Sequence, residues 1–176
     1  MFLVKGLFIS LLLLSSLFAG EQKCLLKYST MYIIAMNEKH KDKAVGYPYL
    51  ISLNNKKDVI KAKEKYKNYF LDNRTIDCIN KEKCFQITKN LIADKITNLD
   101  LGAFQINYKY HKIKIKDYFN LKKSYIASCK IASQYIKNKQ KITFRDIAKY
   151  HSHTKKYNRL YADSLRKNYQ LVLNRI

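Results

Sequence analysis

Glu38 closes an apolar stretch, Ile33-Ile34-Ala35-Met36, and is followed at once by Lys39, His40 and Lys41. A carboxyl at such a boundary has two fates. Facing water, it is an ordinary anion. Drawn back against the apolar side, it loses hydration, its pKa rises, and it keeps a proton near neutrality, as a general acid must. The negative end of a helix dipole pushes the same way. A second segment, Asn98-x-Asp100-x-Gly102-x-x-Gln105-Ile106-Asn107, gathers amides around one glycine. Gly102 permits a sharp turn or a close backbone approach to a ligand. Gln105 and Asn107 carry both donors and acceptors, the complement of sugar hydroxyl and N-acetyl groups. Asp100 is the other acidic candidate, and its place beside a turn points to a loop-shaping hydrogen-bond acceptor. His151 and His153 lie two apart with no acidic neighbour, so no metal site is expected.

Several elements must position these groups. Leu25, Leu26, Tyr28, Tyr32, Ile33 and Met36 recur at helical spacing, which predicts a helix over 24–38 with Glu38 at its end. Ser29 and Thr30 mark a local break or cap within it. A turn is expected around Gly46, Tyr47 and Pro48, a strand over 49–53, and a turn at Asn54 and Asn55. Residues 58–68 read as a charged helix, 69–77 as a strand, and 84–93 as a short amphipathic helix. Residues 98–107 read as a loop or irregular segment. Three helices follow, over 117–138, 143–150 and 155–173. The pattern is α+β, mainly helical, with a small β-region inserted between residues 49 and 97.

The N-terminus has the layout of a cleaved export signal over 1–20. Lys5 supplies positive charge, Leu7 to Leu14 an apolar run, and Ser15, Ser16, Ala19 and Gly20 small residues near the cleavage point. The apolar run is short for a membrane span, so contact with a membrane is expected only through the uncleaved signal. Residues 21–176 fit one domain. The formal charge of +22 favours anionic partners, although the lysines are spread along the whole chain rather than gathered in one arm. Four cysteines in an exported chain suggest two disulfides. Three pairings are possible; Cys78 with Cys84 closes a short loop, leaving Cys24 to join Cys129.

The amide segment resembles the Gly-x-x-Gln-Ile-Asn block of lytic transglycosylases, most closely the branch that serves type IV secretion, pilus and type III export machines. Ile34-Ala35-Met36-Asn37-Glu38 resembles the family's helix end. Tyr118-Phe119-Asn120 through Ala127 and Ala132 resembles the next helix opening. Ala148-Lys149-Tyr150-His151-Ser152-His153-Thr154, with Asn158 and Tyr161, resembles the C-terminal block. These matches run in order over about residues 24 to 162. The resemblance implies a lysozyme-like domain that cleaves the MurNAc–GlcNAc β-1,4 bond of peptidoglycan and leaves 1,6-anhydro ends. It implies Glu38 as catalytic acid and base, and Gly102, Gln105, Asn107 and Tyr150 at the substrate, with the Tyr150 hydroxyl beside Glu38. Asp100 and His151 are auxiliary candidates.

No cofactor is implied. The partners implied are peptidoglycan glycan strands and an envelope-spanning secretion or pilus machine, in the periplasm or cell envelope. One departure stands out: the family usually has Ser after this Glu, and here it is Lys39, a cation that could lower the neighbouring pKa. The alternatives are a hydrolysing muramidase of the same fold, or an exported basic protein that binds cell wall or nucleic acid without turnover. Export and paired cysteines argue against nucleic acid, as does the lack of a zinc, helix-turn-helix or RNP-type motif.

Overall fold

Residues 24, 26–136 and 141–174 are described in a computed structural model of the chain. The expected signal over 1–20 and the expected helical position Leu25 lie outside the described residues.

The first helix, α1 (Tyr28–Glu38), buries Met31, Ile33, Ile34 and Ala35. It starts a turn later than the spacing predicts. Lys27 is extended, with ψ 146°, and Cys24 just before it is joined to Cys129. Ser29 and Thr30 are ordinary helical residues here, not a break. The helix stops at Lys39, whose ψ of 142° turns the chain away from the axis. After Gly46 comes β1 (Leu50–Leu53), buried along its whole length. Its unbroken Leu-Ile-Ser-Leu run suits a strand covered on both faces.

Helix α2 (Lys56–Tyr66) begins two residues before the expected start because Asn55 caps it, accepting from the Lys57 amide. Asp58 in its first turn and Lys63 and Lys65 in its last match the dipole. A 3-10 turn, Lys67–Tyr69, follows. The strand expected over 69–77 is shorter: only β2 (Thr75–Asp77) pairs regularly, and Phe70 makes one bridge to Ile76. Between them Asp72 Oδ1 accepts from the amides of Arg74 and Thr75, folding the segment back on itself. Asn80 then caps α3 (Lys81–Ala93), accepting from the Lys83 amide, so this helix also begins before residue 84.

Residues 98–107 are not irregular. They form the hairpin β3 (Leu99–Leu101) and β4 (Ile106–Asn107). The sheet order is β2-β1-β3-β4, and each neighbouring pair is antiparallel. Register sorts its side chains into rows. Ile76, Ile51, Leu101 and Ile106 stand in one row across the four strands, and Thr75, Ser52, Asp100 and Asn107 in the next. The apolar row enters the core; the polar row leads to the site described below.

The helix expected over 117–138 is two: α4 (Ile115–Tyr118) and α5 (Leu121–Ser133). Asn120 divides them by capping α5 through the Lys123 amide. Next come α6 (Phe144–Ala148), with a Thr143–Asp146 capping box, and α7 (Lys155–Leu173). One hydrophobic cluster joins α1, the sheet, α3, α5 and α7, with Met31, Ile34, Ile51, Leu91 and Leu165 fully enclosed. Both disulfides pair as the spacing suggests: Cys24 with Cys129, tying the approach to α1 onto α5, and Cys78 with Cys84, tying the end of β2 to α3. The fold is α+β, with helices predominating around a small antiparallel sheet.

Candidate active site

Glu38 reaches its position because α1 is held at its C-terminal end by α7. Asn37 Oδ1 accepts from Ser164 Oγ at 2.6 Å and from Asn168 Nδ2 at 2.7 Å. The segment after Glu38 is fastened to the sheet side. Asp77 pairs with Lys43 and accepts from the Tyr47 hydroxyl at 2.8 Å, and His40 Nε2 lies 3.3 Å from Asp72. The helix end is thus fixed on both flanks, and the Glu38 side chain is only 10 % exposed.

Its carboxyl meets α7 directly. The Tyr161 hydroxyl donates to Glu38 Oε1 at 2.5 Å. The His151 ring stacks flat on the Tyr161 ring, with centroids 4.6 Å apart, and its Nδ1 lies 3.8 Å from the same carboxyl oxygen. Burial raises the Glu38 pKa to about 8; the Tyr161 hydrogen bond opposes the rise, the Asp100 charge adds to it, and the Arg74 cation opposes it. The cation that acts on Glu38 is therefore Arg74. Lys39 lies in solvent. Burial holds His151 below its usual range and lifts the Tyr161 phenol well above its own, with the Glu38 charge adding to the effect. Near neutral pH the cluster is a protonated acid beside a stacked pair, a neutral imidazole and a neutral phenol. With Tyr161 donating to Oε1, Oε2 is the oxygen left to carry the proton.

The sheet contributes the Asp100 and Asn107 end of its polar row to the other wall. Asp100 Oδ1 accepts from Asn107 Nδ2 at 2.8 Å, and Oδ2 accepts from Asn54 Nδ2 at 2.8 Å and from Arg74 at 3.5 Å. Burial raises the Asp100 pKa, and these amide and guanidinium donors oppose the rise. Asn107 also donates to Asn98 Oδ1 at 2.9 Å. At the hairpin tip, Gln105 has a φ of +44° and folds its Nε2 onto the Gly102 carbonyl at 2.8 Å.

Between the two walls lies a cavity of about 720 Å³, lined by Glu38, Asp100, Gln105, Asn107, Tyr150 and His151 among others. Asn54 and Asn98 add amides, and Tyr110, Tyr135 and Tyr157 add aromatic faces. Amides that bond hydroxyl and acetamido groups, beside rings that lie against apolar sugar faces, suit a glycan chain.

Of the expected substrate residues, Gly102 is used differently, and Tyr150 stays in the wall with its hydroxyl tied to the backbone. Gly102 is not in the cavity wall. Its φ of +77° lets the chain turn, and a Cβ there would lie 2.0 Å from the Tyr118 carbonyl oxygen, so the close approach it permits is to the protein's own backbone. The Tyr150 ring lines the cavity, but its hydroxyl donates to the Phe104 carbonyl at 2.6 Å, and Tyr161 rather than Tyr150 bonds Glu38. Asp100 is the hydrogen-bond acceptor that its place beside the turn suggests.

Sequence reasoning did not single out Tyr161, Arg74 or Asn54 as site residues. Tyr161 belongs to the C-terminal block that carries the resemblance, but the resemblance gives it no role; on α7 it lies beside buried Ala162 and Leu165. Arg74 and Asn54 belong to turns, and only the sheet brings them to Asp100. No family model, curated protein or solved structure matches the chain.

Proposed function

We propose that the protein is a peptidoglycan lytic transglycosylase of lysozyme-like fold, with Glu38 as its acid and base. The observation that carries this reading is the buried Glu38 carboxyl, held protonated to about pH 8 and facing a wall of amides across an open groove. An acid for glycosidic cleavage needs that state and that setting. Glu38 Oε2 gives its proton to the bridging oxygen as the C1–O4 bond between MurNAc and GlcNAc breaks. The carboxylate so formed takes the proton from the 6-hydroxyl of the same MurNAc as O6 bonds to C1. Water is not consumed, and Glu38 ends as it began. Tyr161 fixes Oε1 and turns Oε2 to the glycan. Gln105 and Tyr150 line the sugar path, and Asp100 and Asn107 set the shape of its floor.

A hydrolysing enzyme would use a second carboxylate to activate water or bond to the sugar. Asp100 is the available candidate, and donors from Asn54, Asn107 and Arg74 occupy its oxygens. That arrangement favours the intramolecular attack. Export to the cell envelope and service to an envelope-spanning machine belong to the same reading.

Mass spectrometry of purified peptidoglycan after digestion tests it. Wild type is expected to release anhydro-muropeptides, and Glu38→Gln to lose about 10³-fold in rate. Products heavier by one water would identify a hydrolase. Binding to sacculi with no released product would identify a wall-binding protein.

A further inference from the structure

A second cavity, of about 340 Å³, adjoins the first; His111 and Ile131 line both. One side is formed by residues 111–113 and the other by α4 and α5. Its charge is one-sided. Lys112, Lys123 and Lys130 face a single carboxylate, Asp117, and Lys123 bonds that carboxylate at 2.9 Å. Lys112 and Lys130 have no carboxylate within ion-pair distance among the described residues. The Lys112 ammonium lies 5.8 Å from the centre of the Tyr108 ring, an aromatic face that favours a cation there. Ile113, Ile126, Ala127 and Ile131 supply an apolar surface between the charges. A ligand that fits carries small apolar groups and free carboxylates on a flexible chain: a short acidic peptide.

We propose that this cavity binds the peptide stem of the glycan, with Lys112 and Lys130 pairing its carboxylates. The proposal rests on the transglycosylase reading and specifies its substrate as stem-bearing rather than bare glycan. The stem leaves MurNAc through the 3-O-lactyl group, beside the bond that Glu38 addresses. Because His111 and Ile131 line both cavities, a peptide extending about 3.3 Å per residue enters the second directly from the first. Asp117, paired with Lys123, holds the rim and leaves the other two cations open.

Two measurements test the proposal. The first compares KM for stem-bearing glycan strands with KM for strands stripped of peptide, in wild type and in the Lys112→Gln/Lys130→Gln double variant. The ratio of the two KM values is expected to shift about fivefold against stem-bearing strands when both exposed ion pairs are removed. Equal changes on both substrates, or no change, would overturn the proposal and mark the lysines as general attractors of an anionic wall.

The second measurement needs no turnover. Binding of a disaccharide-tripeptide with free carboxylates, and of the same molecule with carboxamides, is followed by NMR on the Glu38→Gln protein. The free-acid form is expected to bind several-fold tighter, to shift resonances of Ile126 and Ala127, and to lose its advantage in the added presence of the two lysine substitutions. If wild type cleaves neither strand yet this preference persists, the catalytic reading fails and the stem site stands. If cleavage proceeds and the preference is missing, the stem site fails alone.

Discussion

At the scale of single residues, the proton on Glu38 bears on stability and, under the proposed function, on rate. Glu38 is raised from 4.5 to about 8 by burial, so the acid is present at neutral pH. The rate constant kcat/KM is expected to fall tenfold per pH unit above about 8. Asp100 and Arg74 act on that midpoint in opposite directions. Asp100→Asn removes a negative charge, and the alkaline limb moves to lower pH. Arg74→Gln removes a positive one, and the limb moves higher. Measured pH–rate profiles that shift the same way in both variants would contradict the charge assignment.

The same proton makes folding stability depend on pH. The unfolded chain loses it near 4.5 and the folded chain near 8, so between those values the unfolded state binds fewer protons and stability falls as pH rises. Glu38→Gln removes this dependence. The variant is expected to melt close to wild type at pH 4 and above it at pH 8, by on the order of a few kcal/mol. Tyr161→Phe takes away the donor on Oε1 without emptying the core. It should lower kcat about tenfold to a hundredfold and raise the midpoint of the alkaline limb, because that hydrogen bond opposes the rise in pKa. A loss of kcat with no movement of the midpoint would show that the phenol acts elsewhere.

At the scale of elements, the β3–β4 hairpin decides whether the amide wall exists. Its turn lies against the Tyr118 backbone with no room for a side chain at Gly102. Gly102→Ala combines a positive φ with overpacking and is expected to cost about 2–4 kcal/mol, read as a fall in the denaturant midpoint. This hairpin was the least legible element. Leu99, Asp100 and Leu101 do alternate, but three residues followed by a two-residue partner are too few for a strand period to stand out from a loop. The split between α4 and α5 was hidden for a similar reason: Asn120 caps through its side chain inside a stretch whose apolar spacing continues unbroken.

Helices set by long apolar stripes were easier to read, and α7 lies over Lys155–Leu173 as the periodicity predicts. Within the site, residues of distinctive chemistry could be singled out and the structure brings them round one cavity: Glu38, Asp100, Gln105, Asn107, Tyr150 and His151. The role of Tyr161 could not: it stands in a motif-bearing block, but only the docking of α7 on α1 shows which of fifteen tyrosine hydroxyls reaches Glu38.

At the scale of the whole molecule, two covalent links divide the labour of stabilisation. Cys24 and Cys129 are 105 residues apart, whereas Cys78 and Cys84 are six apart. Loop-closure entropy assigns about 5 kcal/mol to the first link and about 2 kcal/mol to the second. Replacing Cys24 and Cys129 together by Ala is therefore expected to lower Tm more than replacing Cys78 and Cys84. Calorimetry under non-reducing conditions ranks the two directly. The chain's excess of lysine acts at this scale as well. With a formal charge of +22, encounter with an anionic wall should slow as ionic strength rises, apart from any effect on the chemical step.

Glu38 and the hydroxyl that aims it are separated by 123 positions along the chain. The proton donor is therefore only half built for as long as its late-arriving partner is missing. If the proposed transglycosylase is exported N-terminus first, its acid is carried unaimed until α7 arrives. On that reading, the docking of α7 on α1 is the step that completes the acid.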